Sequence, residues 1–307
     1  MTESTPTTRE PGTTSDGLAW GRRYAMVRPE HFRVDYAINP YMDLASQPDR
    51  RLAMVQWQRL VGRLLELGAD VQVIEQRADA PDMVYAMNLG LALTDETGPR
   101  VALSHMRHRE RRVESATAAT WFAGAGFAPT VTGEDGVGAF LEAGDAFPVA
   151  GALVVGYGPR TEEQALKQLA TDFDIEVRGF RITHPGMYHL DLAFCPLDEV
   201  TALVCPAAFD ESSAAALLSL VPDAIVLSED EALTFCANSV VVGRTVVMPA
   251  CPGRVRRELE GRGFAVDLVD VSEFHKAGGS VRCLTNPLDI LVGRDLEPVP
   301  GGGVLLA

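Results

Sequence analysis

The chain has 307 residues, 47% apolar and 22% charged, which excludes wholesale disorder and collagen-like repetition and leaves room for a large buried core. Acidic residues outnumber basic ones by 42 to 27, for a net charge of −15, a balance that opposes a nucleic-acid backbone or an anionic membrane surface as partner. No apolar run reaches the roughly 20 residues of a membrane-spanning helix.

Residues 1–19 read as a disordered tail: Met1 to Asp16 is rich in Thr, Ser and Pro and has no apolar core, so it is no secretory signal. Residues 20–307 read as one domain, because no Pro/Gly-rich linker divides them. Tyr24–Val27 has the apolar run of a buried strand. Arg50–Leu67 is an amphipathic helix with Gly68 at its C-terminal cap, and Val71–Ile74 is a strand. After a turn at Pro81 comes an apolar segment, Met83–Leu93. The pattern then recurs: strand Val101–Leu103 with helix Val113–Ala125, and strand Ala152–Val155 with helix Thr161–Phe173, opened by Thr161. Strands are predicted at Glu176–Phe180, Leu190–Phe194, Thr201–Val204 and Ala224–Leu227, with helices at Glu211–Leu220 and Glu229–Phe235. Ser239–Val242, Arg244–Met248 and Phe264–Leu268 complete the strands, around a helix at Val255–Arg262. Alternation of this kind gives an α/β class, in roughly five helix-bearing units of about 40–60 residues.

The five cysteines (195, 205, 236, 251 and 283) are odd in number and lack C-x-x-C spacing, which argues against a disulfide framework or structural zinc and for a reducing cytoplasm. Four sit in apolar stretches or beside proline and read as buried thiols. Cys283 differs, because Gly278, Gly279 and Ser280 precede it and Thr285 and Asn286 follow. His189 and Asp191, two apart on a predicted strand, share one face. A cysteine and a histidine distant in sequence are the pair needed to make a thiolate and shuttle protons. Glu142 and Asp145 flank a glycine and fit either a pocket wall or a solvated turn. Asn88 is an amide in an apolar segment and needs hydrogen-bond partners. The basic run His105–Arg112 fits a solvated helix start with one or two arginines free to bind a carboxylate, and Arg160 precedes a helix N-terminus.

Five stretches in order, Ile38–Asp43, Pro81–Asn88, Leu141–Asp145, Tyr188–Asp191 and Gly278–Cys283, resemble the guanidine-modifying enzymes of the pentein superfamily: arginine deiminases, arginine dihydrolases, dimethylargininases and amidinotransferases. The resemblance covers about Tyr24 to Leu288. It implies a pentein fold, a five-bladed α/β propeller of pseudo-five-fold ββαβ units around a central site. It also implies Cys283 as nucleophile and His189 as general acid/base, with Glu142 and Asp191 holding the guanidinium. Asn88 falls where many deiminases and dimethylargininases carry aspartate, and asparagine in that place resembles the arginine dihydrolase branch. Arg111 and Arg160 match arginines that bind a substrate carboxylate, and Asn39 and Asp43 match a loop at the mouth; Asp145 joins the substrate-binding set. The implied reaction is hydrolysis of free arginine, placed slightly ahead of methylated arginine, through an S-amidino intermediate and with no metal or organic cofactor. Dimethylargininase activity, amidino transfer and a non-catalytic binding protein are the alternatives, and homo-oligomerisation stays open.

Overall fold

The computed structural model describes residues 18–149, 151–292 and 304–305, so residues 1–17 of the expected tail lie outside the described residues. Leu18, inside that expected tail, is instead buried with Trp20 against the main apolar cluster.

Five mixed sheets repeat one arrangement, in which a strand lies antiparallel to a second and a helix returns the chain to a third strand parallel to the second. In the first, Arg23–Val27 runs parallel to Asp70–Ile74 through helix Arg50–Glu66, and its antiparallel neighbour Asn286–Pro287 comes from the far end of the chain. The second joins Gly90–Asp95, Gly98–Leu103 and Ala128–Val131 around helix Glu114–Gly124. Leu291–Val292 extends that sheet beside Gly90–Asp95. The third joins Ala146–Val149, Ala152–Tyr157 and Val177–Arg181, and the fourth Phe194–Pro196, Thr201–Val204 and Asp223–Val226. The fifth joins Val240–Val242, Thr245–Met248 and Ala265–Leu268. Strand pairing keeps the five sheets separate, with no closed barrel among the described residues.

The helices follow from local chemistry. Asp49 caps the first by accepting from the amides of Arg51 and Leu52, while Ala53, Trp57, Leu60 and Leu64 bury one face. Gly68, at φ +87°, ends the element where a residue with a Cβ would be strained.

Four sequence expectations change. Met83–Leu93 is not continuous: two 3-10 turns, Pro81–Val84 and Ala86–Leu89, precede strand Gly90–Asp95. Leu190–Phe194 is a 3-10 turn, Leu190–Leu192, followed by the short strand Phe194–Pro196. Helix Glu229–Ala232 stops early, because Phe235 takes φ +64°. Thr161 does not cap helix Glu163–Phe173; its hydroxyl accepts the Glu142 amide at 3.0 Å instead.

The Asn286 side-chain amide reaches the carbonyls of Ala86, Met87 and Gly90 at 3.0, 3.3 and 2.7 Å and so ties strand Asn286–Pro287 to the second 3-10 turn and the start of the strand after it. Asn286→Ala strands these buried acceptors and is expected to lower the unfolding free energy by about 1–3 kcal/mol, read by denaturant titration. An unchanged midpoint contradicts that role.

Candidate active site

Cys283 lies in a turn over residues 281–284, just after a glycine-containing turn that backs onto two other segments. Gly278 takes φ +87°, and a Cβ there would meet the Asn39 side chain. A Cβ at Gly279 would run into the Tyr85 ring. The two glycines therefore let the turn press against its neighbours. The Cys283 thiol donates toward Asp191 Oδ2 at 3.4 Å and accepts from Asn238 Nδ2 at 3.1 Å. Burial, with the Asp191 carboxylate next, holds the thiol well above its ordinary range.

His189 precedes the 3-10 turn and Asp191 lies within it rather than the two sharing a strand face, yet they still converge. A side chain at Gly144 would begin 2.9 Å from Asn88 Oδ1, 3.2 Å from Asp191 Oδ2 and 3.5 Å from His189 Nδ1. The missing Cβ is what allows these groups to meet. Asn88 Oδ1 accepts the Gly144 amide at 2.8 Å, which fixes the orientation of the side chain, and its Nδ2 has no acceptor among the described residues. Asp145 Oδ1 accepts the Leu190 amide at 2.9 Å and so anchors the turn that carries His189 and Asp191.

Glu142 is where the geometry departs furthest from the resemblance. Oε2 meets His189 Nε2 at 2.8 Å and Arg160 Nη1 at 3.0 Å, while Oε1 accepts the Arg107 amide at 3.1 Å. Burial opposes its ionisation, but Arg160 and His189 together overcome it and hold the carboxyl well below the usual range. Both oxygens thus have partners within the protein, and Glu142 holds the His189 ring in place. A carboxylate at Nε2 makes that nitrogen the donor and leaves Nδ1, on the Gly144 side, as the basic atom.

Asp191 differs, because its Oδ1 is buried without a partner. Burial raises its pKa, with His189 and Arg282 pulling the other way. Arg282 is itself buried between the rings of Trp20 and Phe147, its guanidinium carbon 5.3 and 4.8 Å from their centroids.

Cys283, His189, Asn88, Arg111, Arg160 and Asn39 all line one narrow cleft. Arg111 is buried, bonds Glu114 through Nε and Nη2 at 2.9 and 2.8 Å, and has no Nη1 acceptor among the described residues. Arg160 lies over the Tyr188 ring, 4.5 Å from its centroid, and donates to the Ile38 carbonyl at 3.0 Å. Asn39 donates to the Ala277 carbonyl at 3.0 Å. Asp43 does not line this cleft: it is exposed, and its carboxylate accepts the Ala45 amide at 2.9 Å in its own turn. Asp145 does not line it either, being turned toward the Leu190 backbone.

Sequence reasoning passed over Asp82 and Asn238. Asp82, beside the turn at Pro81, faces the cleft with a buried, unpartnered Oδ1. Burial pushes its carboxyl up to about 7 against the pull of Arg111. Asn238 was discoverable by the signal that singled out Asn88, a polar amide entering an apolar run.

The family model described as N,N dimethylarginine dimethylhydrolase, eukaryotic, matches residues 28–290. The chain belongs to this family. Within the pentein superfamily, this dimethylarginine dimethylhydrolase relative sits in the arginine dihydrolase/dimethylargininase branch. It is 37% identical over 264 residues to the N(G),N(G)-dimethylarginine dimethylaminohydrolase of Mycobacterium tuberculosis, covering 86% of this chain and 85% of that protein. It is also 36% identical to the bifunctional arginine dihydrolase/ornithine cyclodeaminase AgrE of a Nostoc species, over 86% of this chain and only 37% of that one. The crystal structure of the N-terminal domain of ArgZ bound to substrate, an arginine dihydrolase from cyanobacteria, superposes with a TM-score of 0.82 at 32% identity, over 88% of this chain and 99% of that domain.

Asp145 supplies a test of the buried turn. Burial, eased by His189 and Thr161, pushes its carboxyl up to about 6 from an ordinary 3.8. The folded state therefore binds a proton more tightly than the unfolded chain, and the stability gained below about pH 4 is lost as pH rises toward 6. Asp145→Asn retains an acceptor oxygen for Leu190 and removes the titration. Relative to wild type, the variant is expected to gain on the order of 2–3 kcal/mol between pH 4 and pH 7, measured by denaturant unfolding at each pH. Parallel stability curves contradict this account.

Proposed function

We propose that the protein is a cysteine-dependent hydrolase that acts on the guanidino group of free arginine. The observation that carries this reading is the buried Asp191 carboxylate, with one oxygen unpartnered and the other against the thiol of Cys283, which lines one cleft with His189. A planar cation with several N–H donors is the ligand such a carboxylate favours. Asp82 offers a second unpartnered oxygen, and Arg111 and Arg160 are the groups for a substrate carboxylate, with Asn39 at the mouth and Asp43 on the same loop outside it.

The chemistry follows from charge. Before substrate arrives, burial and then the Asp191 carboxylate keep Cys283 a thiol. A bound guanidinium reverses the local field and favours the thiolate, whose proton passes to His189 Nδ1. The sulfur attacks the guanidinium carbon, His189 returns the proton to the departing amine, and an S-amidino intermediate forms. Water then attacks that carbon as His189 takes its proton, the C–S bond breaks, and the ureido product leaves. From arginine this gives citrulline and ammonia. A second round on the ureido group consumes another water and gives ornithine, carbon dioxide and ammonia. Asn88 favours that second round, because its unengaged Nδ2 can donate to a neutral ureido oxygen that a carboxylate would repel.

Dimethylarginine hydrolysis to citrulline and dimethylamine is the second reading, supported by the likeness to the Mycobacterium tuberculosis enzyme. We further infer that residues 20–307 form one catalytic domain whose five sheets are propeller blades, with Asn286–Pro287 completing the first. A reducing, cytoplasmic location suits five cysteines that are all free.

Incubation with arginine, asymmetric dimethylarginine and citrulline, with products identified by mass, is expected to show ornithine from arginine. His189→Ala is expected to lower kcat by at least about 10²-fold. Asn88→Asp is expected to stop arginine at citrulline. Dimethylamine as the dominant product moves the assignment to the second reading, and ornithine from Asn88→Asp removes the role given to the amide.

A further inference from the structure

Asn238 is fully buried in the bend before strand Val240–Val242. Its Oδ1 accepts two backbone amides, Arg282 N at 3.0 Å and Cys283 N at 3.2 Å. Backbone N–H groups can only donate, so oxygen must face them and the NH2 end must face the other way. There the two Nδ2 hydrogens meet the Asp191 carbonyl at 3.1 Å and Cys283 Sγ at 3.1 Å. One amide thus holds the backbone of the cysteine, the backbone of the neighbouring acid and the sulfur itself.

Apart from a backbone hydrogen bond at Ser280, the sulfur is otherwise badly placed for ionisation. Asp191 faces it with negative charge, Tyr85 and Tyr188 are buried neutral phenols nearby, and His189 lines the same cleft. Arg282 supplies a buried positive charge, yet it lies against the Trp20 and Phe147 rings. Asn238 Nδ2 is the one side-chain N–H donor bonded to the sulfur among the described residues. While Cys283 is protonated, its S–H points to Asp191 and a sulfur lone pair accepts from Nδ2. Once the proton leaves, the same contact becomes charge-assisted and stronger, so it favours the anion over the thiol.

We propose that Asn238 is a catalytic residue of this site, whose amide N–H stabilises the Cys283 sulfur anion both before attack and when sulfur departs from the S-amidino intermediate. This deepens the reading of Cys283 as nucleophile and rests on it.

Asn238→Asp tests the proposal, because it keeps an oxygen for the two backbone amides and replaces the donor at sulfur with an acceptor. Two rates are read: turnover of arginine, and modification of Cys283 by iodoacetamide across the neutral to alkaline range, located by peptide mass. The expected result is kcat lower by about 10²–10³-fold with KM changed little, and alkylation slower by about tenfold at each pH. A residue that merely ties the loop gives the opposite alkylation result, since a loosened turn exposes the thiol and speeds its modification. Wild-type alkylation with wild-type kcat also overturns the proposal. A second measurement needs no Asn238 variant: in the native protein the Asn238 side-chain amide resonances should shift as Cys283 ionises, and that shift should vanish in Cys283→Ser. Resonances indifferent to Cys283 overturn the proposal even if Asn238→Asp does not fold. Slowed alkylation in a protein that never turns over arginine supports Asn238 and counts only against the substrate.

Discussion

A carboxylate buried beside a thiol is the constraint around which the site is built. Asp191 sits 3.4 Å from the Cys283 sulfur with its second oxygen unpartnered; burial makes ionisation of both groups harder, and the carboxylate adds to that cost at the thiol. Such a pair is unfavourable on its own, because buried charge demands a partner. It becomes favourable when a cation binds against both. The destabilising element is therefore also the element that couples binding to activation: the thiolate forms when the group it must attack has arrived.

Much of the surrounding architecture keeps that pair in place. Asp145 holds the Leu190 amide, Asn238 holds the Asp191 carbonyl and the two amides at Arg282 and Cys283, and Gly144 leaves the space in which the side chains meet. The Glu142–Arg160 pair works on the other reacting group. A carboxylate kept ionised by an adjacent guanidinium fixes the His189 ring and assigns its basic nitrogen to the substrate side. Two buried acids in one site thus do different work. Arg160 neutralises one of them, and the other keeps an oxygen without a partner.

The regular elements were legible because their signals are local. Leu60 and Leu64 recur at helical spacing, Gly68 ends a helix as a C-terminal glycine should, and the count of helix-bearing units matches five sheets. The turns at Pro81–Leu89, Leu190–Leu192 and Cys283 were not, because distant side chains satisfy their backbones: Asn286 for the first, Asp145 for the second and Asn238 for the third. Apolar residues in such turns look like strand. The site divides the same way. Cys283, His189 and Asn88 stood out as polar groups in apolar or glycine-rich surroundings, whereas the roles of Glu142 and Asn238 depend on partners more than 40 residues away in sequence. Arg160 and the run containing Arg111 stood out as candidate anion binders, Asn39 entered through family resemblance, and all three line the cleft, while Asp43, also from the resemblance, faces solvent.

The central claim is that carbon–sulfur bond formation at Cys283 is an obligatory step. Acid quenching during turnover, followed by peptide mass analysis, tests it most directly. Arginine and dimethylarginine lose different amines but leave the same amidino group on sulfur, so the result does not depend on which is the natural substrate. The account predicts a transient adduct on the peptide containing Cys283, equal in mass to arginine minus ammonia, and none on Cys195, Cys205, Cys236 or Cys251. Turnover that proceeds with Cys283 unmodified throughout, or with the adduct on another cysteine, contradicts it.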